Sequence, residues 1–279
     1  MRSLTSDEVK KTGLSLLLVF DKFCKKHNLE YFLSYGTLLG AIRHSGFIPW
    51  DDDIDVVMGR EEYERFITLW MEEEKRGDRV GLLCPSDSSL SLCFAKLVDY
   101  NTSTFQDMFY TKKNAGVANV WIDIFPMDGT SSDVKKAKRH SARIAPYTYF
   151  QILTNVYFKN IFLRILTFPI LVGFRIFRKH IMKTTEKIAK KFKYADSEYV
   201  GNFAYTFSQK SERFEKKLFE ETTTVSFEGH DFPSVKDYDF YLKHLYGDYM
   251  TPPKEGKREQ HHLGIKFYLI DEAKGLLEC

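Results

Sequence analysis

GTLLGAIRHSGFIPWDDDIDVVMG, residues 36–59, sets four acids, Asp51, Asp52, Asp53 and Asp55, at the entrance of an apolar run, Val56-Val57-Met58. Carboxylates this close repel one another, and a strand bound for a core excludes the water that would screen them. On a strand, residues two apart share a face, so Asp53 and Asp55 point one way and Ile54 and Val56 the other. Two parallel carboxylates either share a proton or hold a cation, and oxygen-only ligands suit Mg²⁺ or Mn²⁺. A solvated acidic turn after Pro49-Trp50 would account for Asp51 to Asp53 but not for Asp55 within the strand. A calcium loop is excluded, because its sixth position needs glycine for a sharp turn and Val56 stands there.

A similar acid lies further on. In VWIDIFPMDG, residues 120–129, Asp123 stands between Ile122 and Ile124. A lone buried carboxylate is costly unless it is paired or bound to metal. If its strand lies beside 53–58, Asp123 completes a three-carboxylate site; taken alone, it reads as a salt-bridged core residue. Lys96, inside the apolar run Phe94-Ala95-Lys96-Leu97-Val98, calls for an anion, either a bound phosphate or a structural acid such as Asp55.

Working outward, Thr5 and Glu8 have the spacing of a capping box, and Val9, Leu16, Phe20 and Phe23 follow at near-helical spacing, so 6–27 is a predicted helix. Residues 30–35 read as a strand ending at Gly36-Thr37, then a short helix to Gly46, a strand over 53–58 and an amphipathic helix from Glu61. Strands are expected at 80–84, 93–98 and 119–125. That order indicates an α/β (α+β) fold, a mixed sheet flanked by helices. From Asp133 the chain becomes basic, apolar and helical to about residue 193. A hairpin turning at Glu228-Gly229-His230-Asp231 and a helix at 237–246 follow. The expected organisation is a catalytic core in 1–132, a helical insertion in 133–200, and a C-terminal part, 201–279, completing the catalytic domain.

Bulk properties narrow the function. The chain has 279 residues and a formal charge of +3, too small to argue for nucleic acid as partner. Cys24, Cys84, Cys93 and Cys279 form no C-x-x-C pair, which speaks against a zinc ribbon or redox motif and for a reducing compartment. The N-terminal apolar run LSLLLVF is too short and too acid-flanked for a signal peptide. A cytoplasmic location is expected, with or without peripheral contact to the inner face of the membrane.

The succession of a strand ending in Gly36-Thr37, a helix and the Asp53-Ile54-Asp55-Val56 strand resembles the nucleotidyltransferase superfamily, with Thr37 replacing the more usual Ser and a somewhat longer gap. YGTLLGAIRHSGFIPWDDDIDV (35–56), FAKLVDYNT (94–102), VWIDIFPMDG (120–129) and YGDYMTPP (246–253) are similar to the motifs of the LicD family of phosphotransferases. The segment 133–193 carries no family motif. The resemblance implies a nucleotidyltransferase-like core and transfer of phosphocholine from CDP-choline to a hydroxyl of a lipid-linked, cell-surface glycan precursor of the teichoic acid type. It also allows another phospho-alcohol (ribitol phosphate, glycerol phosphate or phosphoethanolamine), transfer of a nucleoside monophosphate, or an inactive membrane-bound scaffold.

On that resemblance, Mg²⁺ or Mn²⁺ sits on Asp53, Asp55 and Asp123, and Asp123 also accepts the hydroxyl proton. Gly36 and Thr37 offer a helix N-terminus to phosphate. Arg43, one turn below with His44, clamps phosphate or is a surface arginine. Trp50 and Trp121 flank the acidic strands and offer an aromatic face to a quaternary ammonium or pack in the core. His261 and His262, after the basic run KEGKREQ, touch substrate or form a surface pair. The stretch Tyr149 to Lys183 has no charge-free piece longer than ILTFPILVGF, too short to span a bilayer. With Lys159, Arg164, Arg175, Arg178 and Lys179 interleaved, it lies in a membrane interface or packs as a helical subdomain.

Overall fold

The structure, a computed structural model, describes residues 3–74, 78–85, 92–104, 119–153, 161–203, 212–254 and 266–270. Helix α1 (Ser6–His27) opens with the capping box as expected: the Glu8 amide donates to Thr5 Oγ1 at 3.3 Å and the Thr5 amide donates to Glu8 Oε2 at 2.8 Å. It ends at Asn28 in the left-handed region. Val9, Leu16, Leu17, Phe20 and Cys24 form its buried face.

Strand β1 is only Phe32–Leu33, shorter than the expected 30–35. Ser34 ends it, its amide donating to Asp55 O at 3.1 Å, and helix α2 (Tyr35–His44) begins at once. Gly36 and Thr37 therefore lie in the first turn of the helix, not at the end of a strand. Strand β2 (Asp55–Gly59) starts two residues after Asp53 and leads into α3 (Arg60–Glu73). Next come β3 (Val80–Leu83), β4 (Ala95–Asp99), β5 (Thr102–Thr104) and β6 (Val120–Thr130). Strand β6 runs five residues past the expected end because β7 (Tyr199–Gly201) pairs with Asp128, Gly129 and Thr130.

The main sheet has seven strands, ordered β1-β2-β6-β4-β3, with β7 beside β6 and β8 (Phe214–Glu215) beside β7. Only the β2–β6 pair among these is parallel. Strands β9 (Thr222–Phe227) and β10 (His230–Val235) form the expected hairpin, turning at Glu228 (φ 51°) and Gly229 (φ 76°). Helix α6 (Tyr238–Tyr246) follows, and β11 (Phe267–Leu269) pairs with β5. The basic segment is helical over α4 (Val134–Leu153) and α5 (Ile161–Ala189), which pack on each other. Residues as distant as Leu16, Phe66, Ile124, Phe227 and Leu242 share one core.

At the base of α3, the Arg60 guanidinium grips Asp128 with two bonds, Nε to Oδ1 at 2.7 Å and Nη2 to Oδ2 at 2.6 Å. The two side chains are 8% and 1% exposed, so neither has water to fall back on. Arg60→Met should lower the unfolding free energy by about 3–5 kcal/mol in urea titrations, since it strands a buried carboxylate. A double variant, Arg60→Met with Asp128→Leu, should recover most of that loss.

Candidate active site

Sheet register assembles the centre. Asp55 on β2 lies opposite Asp123 on β6, and Lys96 on β4 lies opposite Asp123 from the other side. Three neighbouring strands thus present acid, acid and base on one face. Lys96 Nζ donates to Asp123 Oδ1, with the two side chains 4% and 13% exposed. The lysine also sits over the Trp121 ring, 4.3 Å from its centroid. The acid Lys96 needs is therefore Asp123 and not Asp55, and Trp121 has a protein cation on its face.

Thr37 and Gly36 serve this centre through the protein itself. Thr37 Oγ1 accepts from the Asp55 amide at 2.8 Å, fixing where β2 begins. A Cβ at position 36 would stand 2.8 Å from Asp51 Oδ2, so glycine there makes room for a carboxylate, where sequence reasoning expected room for phosphate.

The acids strain against one another. Burial pushes the Asp55 carboxyl well above the usual carboxylate range, and Asp53, Asp123 and Asp51 push it further while Lys96 pulls it back. Burial likewise raises Asp51, to about 9, aided by Asp53 and Asp52. Asp51 Oδ1 is buried without a hydrogen-bond partner. Among the described residues, no three or more His, Cys, Asp or Glu side chains are grouped so that they could hold a metal ion as they stand. The chemistry of the donor set is of the kind a hard divalent cation takes: crowded carboxylate oxygens, one of them buried without a hydrogen-bond partner, which a cation would let ionise together.

Near the acidic strands lies a group, Tyr35, Asn202 and Glu212, of which the motifs contained only Tyr35. Tyr35 adopts φ 46°, a strained angle for a side chain this large. Its ring meets Phe125, two residues past Asp123, edge-on at 5.6 Å. Its hydroxyl donates to Glu212 Oε2 at 2.9 Å and accepts from Asn202 Nδ2 at 3.2 Å. Burial raises Glu212 to about 7. Ser34 Oγ is bonded to the Tyr241 hydroxyl. Burial pushes the Tyr246 hydroxyl well above its ordinary value, and Tyr241, Asp55, Glu212 and Asp51 add to the shift. Glu212 sits in SERFEKKL, a charged run like any solvated surface, so nothing in the sequence distinguished it.

Arg43, His44 and Trp50 gather at the other end of α2. Arg43 Nη1 donates to Tyr249 O at 2.7 Å and its Nε donates to His44 Nε2 at 2.9 Å. Arg43 lies 6.0 Å from the Trp50 ring centroid, and His44 meets that ring edge-on at 6.3 Å. The arginine thereby ties the motif 246–253 to the motif 35–56. His261 and His262 lie outside the described residues.

The ordinary glutamate pKa is 4.5, so between that and about pH 7 the folded protein keeps a proton on Glu212 that the unfolded chain has released. Stability attributable to this group therefore falls as pH rises through that window. Glu212→Gln should melt above the parent protein at pH 8 and together with it near pH 4, measured by calorimetry.

A family model described as "LicD/FKTN/FKRP, nucleotidyltransferase domain" matches residues 28–165, which include α2, the three central strands and every acid of the cluster. The lipopolysaccharide cholinephosphotransferase LicD of Haemophilus influenzae is 30% identical to the chain, over 96% of it and 100% of that relative. Uncharacterized proteins of Rickettsia typhi and Rickettsia prowazekii match short stretches, 40% identical over 55 residues and 36% over 69. A match along the whole length of both chains, joined to a family model centred on the acidic strands, shows that this chain belongs to the LicD family.

Proposed function

We propose that the protein is a divalent-metal-dependent phosphotransferase that moves phosphocholine from CDP-choline to a hydroxyl of a lipid-linked, cell-surface glycan. The observation that carries this reading is the register of Asp55, Asp123 and Lys96 across three strands, inside a crowd of carboxylates. The Haemophilus relative supports phosphocholine as the group and a lipopolysaccharide-type glycan as the acceptor.

In this reaction an acceptor oxygen bonds to the phosphorus that bears choline, the bond from that phosphorus to the bridging oxygen breaks, and CMP leaves with the electron pair. Mg²⁺ or Mn²⁺ held by Asp53, Asp55 and Asp123 would neutralise charge on the donor pyrophosphate. Lys96 holds the Asp123 carboxylate in place by its bond to Oδ1. The same bond makes Asp123 a poor acceptor for the hydroxyl proton. Glu212, raised to about 7 by burial and bonded to Tyr35, whose ring packs on Phe125 of the strand that carries Asp123, is better matched to that task. Arg43, already fixed by Tyr249 O, presents its charge beside Trp50 at the rim, where an anionic donor and a quaternary ammonium have complementary partners.

The test uses CDP-choline labelled either in choline or in cytidine, with a glycan acceptor. Choline label should enter the acceptor and cytidine label should remain in CMP. Chelation, or Asp55→Asn, should abolish transfer. In the same assay Glu212→Gln should lower kcat by about 10²–10⁴-fold and remove the fall in rate below neutral pH. Cytidine label in the acceptor would mean that a nucleotidyl group moves instead.

A further inference from the structure

From Val134 to Thr185 the chain contains no aspartate or glutamate and eleven lysines and arginines. The other 227 residues then carry thirty basic side chains against thirty-eight acidic ones, a formal −8. The segment that holds α4 and α5 is thus strongly basic while the rest of the chain is net acidic. On α4, Lys135, Lys136, Lys138, Arg139 and Arg143 are exposed, as are Lys179 and Lys183 on α5.

Helix α5 is attached to the rest of the protein by its C-terminal part. Ile181, Met182, Thr185 and Ala189 are buried there, and Met182 O accepts from the Cys93 thiol. Over the preceding twenty residues, Ile161 to His180, no described side chain is buried. That is about 30 Å of helix. Leu166, Ile176 and Phe177 are 72%, 71% and 62% exposed. At 100° per residue these three fall, with Pro169 and Gly173, on one stripe, while Met182, Thr185 and Ala189 fall on the other side of the helix and Ile181 at the edge between. The apolar stripe therefore points away from the domain that anchors the helix. Large exposed apolar patches mark contact surfaces.

We infer that the α4–α5 hairpin docks the protein on an anionic lipid bilayer, with α5 lying in the interface and the lysines and arginines of both helices among the headgroups. No helix among the described residues is long and apolar enough to cross a membrane, so the contact is one of lying on the surface. Pairing with a second copy is disfavoured, because it would bring two strongly basic hairpins together. A bilayer supplies both a continuous apolar phase for the stripe and a dense field of negative charge. On the function proposed above, a lipid-linked acceptor would lie in that same plane; the docking itself follows from charge and exposure, and its test contains no substrate.

The experiment is flotation of the full-length protein with vesicles of phosphatidylcholine alone or containing phosphatidylglycerol. Binding to the phosphatidylglycerol vesicles should exceed binding to the neutral ones by about tenfold or more and weaken as salt is raised. The triple variant Leu166→Glu, Ile176→Glu, Phe177→Glu should lose that binding while keeping the parent circular dichroism and melting temperature. A second variant, Lys135→Glu with Lys136→Glu and Lys138→Glu, leaves the stripe intact and should lose the preference for phosphatidylglycerol. The inference is overturned if the parent protein does not float with anionic vesicles, or if neither variant reduces its binding. It is also overturned if light scattering without lipid shows a dimer that the triple variant dissociates.

Discussion

Four carboxylates forced into one partly dry space are the constraint around which this protein is arranged. Asp51 and Asp55 are pushed upward by burial and by their acidic neighbours, and Lys96 pulls Asp55 back. Such crowding is unfavourable to folding, so the scaffold must impose it. It does so with the sheet: the parallel β2–β6 pairing sets Asp55 opposite Asp123, and the antiparallel β6–β4 pairing adds Lys96. Thr37 and Gly36 complete the arrangement, one by holding the Asp55 amide and the other by leaving space for Asp51.

The surrounding shell has its own physical logic. Tyr35 accepts an unfavourable backbone angle, and in return its phenol reaches Glu212 beside the strand that carries Asp123. Arg43 links the distant motif around Tyr249 to the helix that supports the acids. The C-terminal elements share a core with the N-terminal ones, which is how residues far apart in the chain come to serve one centre. Helices α4 and α5 stand apart in character, basic and apolar, and they concentrate positive charge where the rest of the molecule is acidic.

What the sequence disclosed depended on periodicity and on contradiction. Helices α1 and α6 and the β9–β10 hairpin were legible from caps, turn residues and spacing, because those signals are local. Asp55 and Asp123 were legible because a carboxylate in an apolar strand conflicts with its surroundings. The partner of Lys96 was not, since Asp55 and Asp123 satisfy the same sequence argument and only strand order separates them. The start of α2 was misjudged for a related reason: YFLSYG has the composition of a strand, but the chain leaves the strand at Tyr35, whose φ of 46° no composition signals. Glu212 was invisible, because the partner that marks its setting, Tyr35, lies 177 positions away in the chain.

The central claim is that this acidic crowd exists to hold a divalent cation. Crystals soaked in Mn²⁺ and measured at the manganese absorption edge address it directly. The account predicts an anomalous peak within bonding distance of carboxylate oxygens from Asp53, Asp55 and Asp123, absent from crystals of Asp55→Asn. Crystals with no peak there at millimolar Mn²⁺, and with the Lys96–Asp123 pair as the sole charge compensation, would contradict it.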